Sequence, residues 1–194
     1  MRPNLLLSTL IGALALLIGS PVAAQVTTWT DPAGGFAVDL QPGMTQIQNT
    51  TSLSAALLIQ VTSPETGAQM GLCMVMRDRS TTVLTQAHWD RTVAQNFSTS
   101  AFGQKLTQDQ GHTWLRGISS RAFTSRAGWA GYIHVLERTN KDTGKQQMAV
   151  SGGTMLAGDA RILLQCATPT TGGPPFSTAD LARIERMFTS VRRP

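Results

Sequence analysis

Apolar residues recur along this chain in two periods, and the change from one to the other divides it into strands and helices. Residues 28–30 and 36–40 are short extended runs on either side of Asp31-Pro32-Ala33-Gly34-Gly35. Pro42-Gly43 stops the second run, which predicts a hairpin that opens a sheet. Residues 44–54 are polar and rich in Thr, Ser and Asn, the mark of a loop or a poorly formed strand. Residues 55–62 and 69–77 then read as two strands joined across Ser63-Pro64-Glu65-Thr66-Gly67. From Ser80-Thr81-Thr82, which supply N-cap candidates, to about Phe97 the spacing turns helical. Val83, Leu84, Ala87, Val93, Ala94 and Phe97 fall on one half of that helix, with Trp89 at its edge, where packing on the sheet is its expected role.

Residues 98–103 break the helix, and strand patterns follow at 105–108, 113–124, 129–139, 146–156 and 161–167, joined by polar turns at 125–128, 140–144 and 157–159. Along Trp129, Gly131, Ile133 and Val135 one face is apolar or small, and Tyr132, His134 and Arg138 point the other way. Pro174-Pro175 leads to a second helix, where Ser177 and Asp180 form a variant capping box and Phe176 and Leu181 occupy hydrophobic-staple positions. Leu181, Ile184, Phe188 and Val191 make its apolar stripe with Met187 beside them, and Arg183 and Arg186 are expected outside. Strands outnumber helices and short turns join them, so the predicted class is α+β: a mainly antiparallel sheet with two packed helices. The pattern leaves open whether both helices lie on one face of the sheet or one covers each.

Before the first hairpin stands a segment of another kind. Arg2, the apolar run 5–18, the break at Gly19-Ser20-Pro21 and the small residues Val22-Ala23-Ala24 predict a signal peptide over residues 1–24, cleaved before Gln25. The apolar run is short for a bilayer span, so no stable membrane span is expected after cleavage. One domain over residues 25–194 and a periplasmic or secreted location follow as expectations. Cys73 and Cys166 each sit in a strand-like run without metal or redox spacing. In an oxidising compartment they are candidates for a structural disulfide, the alternative being two buried thiols on strands that do not meet.

Composition narrows the chemistry. The chain of 194 residues is 41% hydrophobic and 14% charged with a net charge of +5, and its arginines are scattered rather than massed in a stripe, so nucleic acid is not an expected partner. Arg121 with Arg126, or Arg183 with Arg186, are the pairs that could form a local anion patch, and solvated faces are the competing reading. His88, His112 and His134 are unpaired in sequence, and Met70, Met74 and Met76 read as core filling, so no metal or cofactor is expected. Nucleophile signatures are missing: Ser151-Gly152-Gly153 resembles half of an elbow but interrupts a strand, where a bulge or close packing explains it. The carboxylates fall beside turns, caps and helix surfaces, and no catalytic residue is assigned.

Trp29-x-Asp31 followed by Gly35-Phe36 and Pro42-Gly43, two strand pairs, a helix, a run of antiparallel strands and a closing helix with Ile184, Phe188 and Val191 together resemble the PsbP-like fold over nearly the whole of residues 25–194. The resemblance implies an antiparallel sheet with helices packed on it and an accessory or binding role rather than catalysis. It transfers no site residues. The expected function is therefore that of an exported, non-catalytic accessory or interaction protein of the bacterial cell envelope, with an envelope protein as partner. Trp114, Arg116, Trp129, Tyr132 and His134 are the candidate interaction surface. The alternative is a small periplasmic ligand binder or hydrolase with a site near His134 and Tyr132.

Overall fold

A computed structural model of the chain describes residues 25–33, 35–47, 57–79, 85–96, 112–157, 160–171 and 174–194. The expected leader over 1–24, the helix-start candidates at 80–84, the break at 98–103 and the strand expected at 105–108 lie outside these residues. The strands are β1 (Thr27–Thr30), β2 (Ala37–Leu40), β3 (Met44–Ile47), β4 (Leu57–Thr62), β5 (Gln69–Arg79), β6 (Thr113–Thr124), β7 (Ala130–Thr139), β8 (Gln146–Ala157) and β9 (Ala160–Ala167). The helices among the described residues are α1 (Gln86–Asn96) and α2 (Thr178–Thr189). Seven strands form one sheet in the order β3-β4-β5-β9-β8-β7-β6, and every pairing is antiparallel. The α+β class and the antiparallel sheet read from the sequence are those observed.

The opening hairpin departs from expectation. β1 and β2 pair with each other in a separate two-stranded sheet instead of starting the large one. All four β2 residues are buried, and the strand is tied to the chain end instead. Ala37 and Arg192 exchange backbone hydrogen bonds of 2.9 and 3.1 Å, and the Asp39 amide donates to Ser190 Oγ at 2.7 Å. β3, in turn, is an edge strand of the large sheet among the described residues, at the start of the polar stretch after Gly43.

Register assigns the faces. Val75 of β5, Leu164 and Ile162 of β9, Val150 of β8 and Ile133 and Val135 of β7 share one face, and Ile184, Met187 and Phe188 of α2 join them in the main core. Their neighbours Tyr132 and Met155 point to the opposite face, where they cluster with Trp89 and Val93 of α1. The helices therefore pack on opposite faces, and β7 is buried without interruption from Gly131 to Leu136. The Trp89 indole is drawn in by size and by its Nε1 donation to Ala130 O at 2.7 Å. Ala87 and Ala94, expected inside, are exposed, because Trp89 and Val93 alone form the i, i+4 line that meets the sheet.

On α2 the capping box is present: the Ser177 amide donates to Asp180 Oδ2 at 2.9 Å and the Asp180 amide to Ser177 Oγ at 3.2 Å. Arg186 is exposed as expected, but Arg183 is not; it is 6% exposed. Its guanidinium pairs with Asp180 and donates to the Pro42 and Thr62 carbonyls, so its buried charge is both paired and hydrogen-bonded. Gly43, at φ +76°, turns the chain directly under that guanidinium, where a β-carbon would come within 2.5 Å of Nη1.

Cys73 and Cys166 stand opposite each other on β5 and β9 and are joined by a disulfide. Both are buried in the main core, and the bond spans a sequence separation of 93. A closed loop of that length is worth on the order of 4 to 5 kcal/mol in the chain-entropy account.

Ser151-Gly152-Gly153 is a close-packed strand segment. A β-carbon at Gly152 would lie 2.9 Å from the Phe188 ring and 2.9 Å from the Tyr132 carbonyl oxygen, while one at Gly153 would lie 2.5 Å from the Tyr132 ring. One ring is thus seated on each face of a bare stretch of β8. Gly152→Ala is expected to lower stability by about 1–3 kcal/mol through overpacking. In Gly152→Ala/Phe188→Leu the combined loss falls short of the sum of the single losses. Chemical denaturation of the four-protein cycle checks both; strict additivity would show that the two sites do not touch.

Candidate functional site

The five residues expected at a shared surface separate into two groups. Tyr132 and His134 lie inside, at 4% and 2% exposure, side by side with ring centroids 5.4 Å apart. Burial pushes the Tyr132 phenol up and the His134 imidazole down, each toward its neutral form. The Ser120 hydroxyl lies 2.6 Å from His134 Nδ1, across the β6–β7 pairing. Trp129, half-buried, packs against the cluster of Trp89, Val93, Tyr132 and Met155. Both rings are buried, so they do not belong to the exposed surface that Trp114 and Arg116 form. The sequence missed this because alternation shows which way a side chain points and is silent on whether a helix covers it.

Trp114 and Arg116 do lie at an open surface. They belong to β6, which among the described residues is the terminal strand of the large sheet and is exposed at every position except the half-buried Trp114 and Phe123. Leu115 and Ile118 are 41% and 42% exposed. Arg116 grips Glu137 on β7 with two 2.8 Å hydrogen bonds, Nε to Oε2 and Nη2 to Oε1, and the bond to Arg116 holds the Glu137 carboxyl below its ordinary range. Trp114 lies against the Cα of Gly117, where a β-carbon would come within 3.3 Å of the indole. Two register shifts, between Trp114 and Arg116 and between Gly117 and Ser119, interrupt the pairing with β7. Composition contained these residues, but edge position and bulges come only from the strand order.

A cleft of about 490 Å³ opens where β6 runs into its turn, lined by Asp39, Gln41, Ser125, Arg126, Arg186 and Ser190 among others. Asp39 sits at its base, accepting from Thr28 Oγ1 and Arg192 Nη2 at 2.8 Å each and from Arg126 Nη1 at 2.9 Å. Burial opposes its ionisation, but Arg192, Thr28 and Arg126 outweigh that and hold its carboxyl below the usual range. The anion-patch pairs read from sequence are re-sorted here: Arg126 and Arg186 line one cleft, Arg121 pairs with Glu185, and Arg183 is buried. A second cleft, of about 430 Å³, lies at the far end of the opposite sheet face, between Leu72, His112, Arg138 and Gln147. No cluster of three or more His, Cys, Asp or Glu side chains able to hold a metal occurs among the described residues.

The buried imidazole gives a pH test. His112 and His134 both have pKa values depressed below 6.5, with desolvation as the largest cause. Below pH about 6.5 the unfolded chain binds protons that the folded one refuses, so their contribution to stability is present above that pH and lost as pH falls. The unfolding free energy is expected to decrease from pH 7.5 to 5.5, and His134→Gln to flatten that decrease. A His134→Gln profile as steep as the parent's would contradict it.

No protein-family model matches the chain, and no curated protein matches it. Among solved structures, the solution structure of cyanobacterial PsbP (CyanoP) from Synechocystis sp. PCC 6803 superposes with a TM-score of 0.54 at 10% identity, covering 96% of this chain and 98% of that one. A crystal structure from Bacteroides thetaiotaomicron VPI-5482 matches at a TM-score of 0.41 and 9% identity, over 86% of this chain and 48% of that one. At such identities the likeness concerns the fold, and the fold of this chain is PsbP-like.

Proposed function

We propose that the chain is an exported, non-catalytic accessory protein of the bacterial cell envelope that binds a protein partner along the outer edge of β6. The observation that carries this reading is the exposed twelve-residue strand with Leu115 and Ile118 on its surface. Outward apolar side chains on a terminal strand suit pairing with an extended segment of another protein, in which main-chain hydrogen bonds supply affinity and flanking side chains such as Trp114 and Arg116 supply selectivity. The core disulfide and the signal-peptide pattern of residues 1–24 support export, since such bonds persist in oxidising compartments. Among the described residues no helix is long and apolar enough to cross a membrane.

Residues facing out on β6 can be changed without touching the core. Leu115→Asp/Ile118→Asp is expected to keep the circular dichroism spectrum and the unfolding midpoint near those of the parent. It is also expected to abolish crosslinking of a discrete partner, obtained with the parent in intact cells and identified by mass spectrometry. A partner captured equally by the double variant would place the interface elsewhere.

A further inference from the structure

We infer that the cleft between the β6–β7 turn and the end of α2 is a binding site for a small oxyanion of the phosphate or carboxylate type. Two guanidiniums, Arg126 and Arg186, line it, and Asp39, the one carboxylate among its described lining residues, is also paired with Arg192. Asp39 already accepts from Thr28, Arg126 and Arg192. Arg186 has no ion-pair partner among the described residues; its Nε reaches the neutral Gln41 Oε1 at 3.4 Å, which leaves the fork of Nη donors uncommitted.

The end of α2 would ordinarily explain such arginines, because free carbonyls at a helix C-terminus attract cations. Here those carbonyls are in use. The Arg126 amide donates to Thr189 O and the Ala127 amide to Val191 O, both at 2.9 Å, and the Ser190 amide to Met187 O at 3.2 Å. Arg192 Nη1 itself caps the Ser190 carbonyl at 3.1 Å, so the guanidiniums of Arg126 and Arg186 are not needed as helix caps, and with Asp39 as the one lining carboxylate the cleft retains an excess of positive charge. Ser125 is a second, independent sign. It lines the same cleft, is 3% exposed, and its buried hydroxyl has no hydrogen-bond partner among the described residues. Unsatisfied buried hydroxyls are costly, and a bound oxygen would supply the partner. Arg126 and Arg186 present paired planar donors of the kind that grip phosphate and carboxylate oxygens. The inference stands apart from the β6 reading, since the two use different side chains.

Calorimetric titration with inorganic phosphate and, separately, with citrate tests it on the mature protein. One-site saturable binding of at least one anion is expected, and whichever binds identifies the ligand type. Arg186→Gln, on an exposed helix face, should weaken it about tenfold, the loss of one charge-assisted contact, and Arg186→Lys less. Arg91→Gln, which removes the same charge from exposed α1, should leave it unchanged. Circular dichroism verifies that each variant is folded. The inference is overturned if neither anion binds saturably, or if Arg186→Gln and Arg91→Gln weaken binding alike, which would mark the effect as one of net charge alone.

Discussion

Two rings meet a bare strand from opposite sides at Gly152 and Gly153, and the architecture depends on that contact. Phe188 of α2 presses on Gly152 from one face, and Tyr132 covers Gly153 on the other, beside Trp89 and Val93 of α1. Any side chain at Gly152 would force the Phe188 ring and the Tyr132 backbone apart. The helices can approach the sheet this closely, from both sides, only because β8 carries no β-carbons there. Around this point the remaining ties close the domain: the disulfide joins β5 to β9, Arg183 fastens α2 to the Pro42-Gly43 turn, and Ala37 holds Arg192.

Burial of β7 and β8 between the two helices limits where function can reside. With α1 and α2 each spent on one face, Tyr132 and His134 become core, and their depressed or raised ionisation reflects desolvation rather than tuning for chemistry. What stays accessible among the described residues includes the exposed β6, the arginine cleft at its end and the second cleft beside Leu72 and His112. A PsbP-like framework that places its chemistry-bearing side chains at an edge and a cleft is suited to holding partners, and that is consistent with the accessory role proposed.

Much of this was legible in the sequence, and the failures share a cause. The pattern carries β6 over its full length, Ser177 and Asp180 as a variant capping box, and Cys73 with Cys166 as candidates for a bridge, since each depends on local pattern or on a pairing that few residues can make. Arg183 was misplaced because helical periodicity has no means of showing that Asp180 and two distant carbonyls will receive a buried guanidinium. The opening hairpin was assigned to the large sheet because its tie to Arg192 and Ser190 comes from the other end of the chain. The cleft joins Asp39, Arg126 and Arg186 from three separate segments, and only the tertiary fold brings them together.

The central claim is that β7 and β8 are buried between the two helices while β6, the terminal strand among the described residues, is exposed. Amide hydrogen exchange of the isolated protein measures this directly. Amides of β7, β8 and β9 should exchange only at the rate of global unfolding, and those β6 amides that do not pair with β7 should exchange many times faster. Equal protection along β6 and β8 would show that the edge is already covered, and would contradict the account.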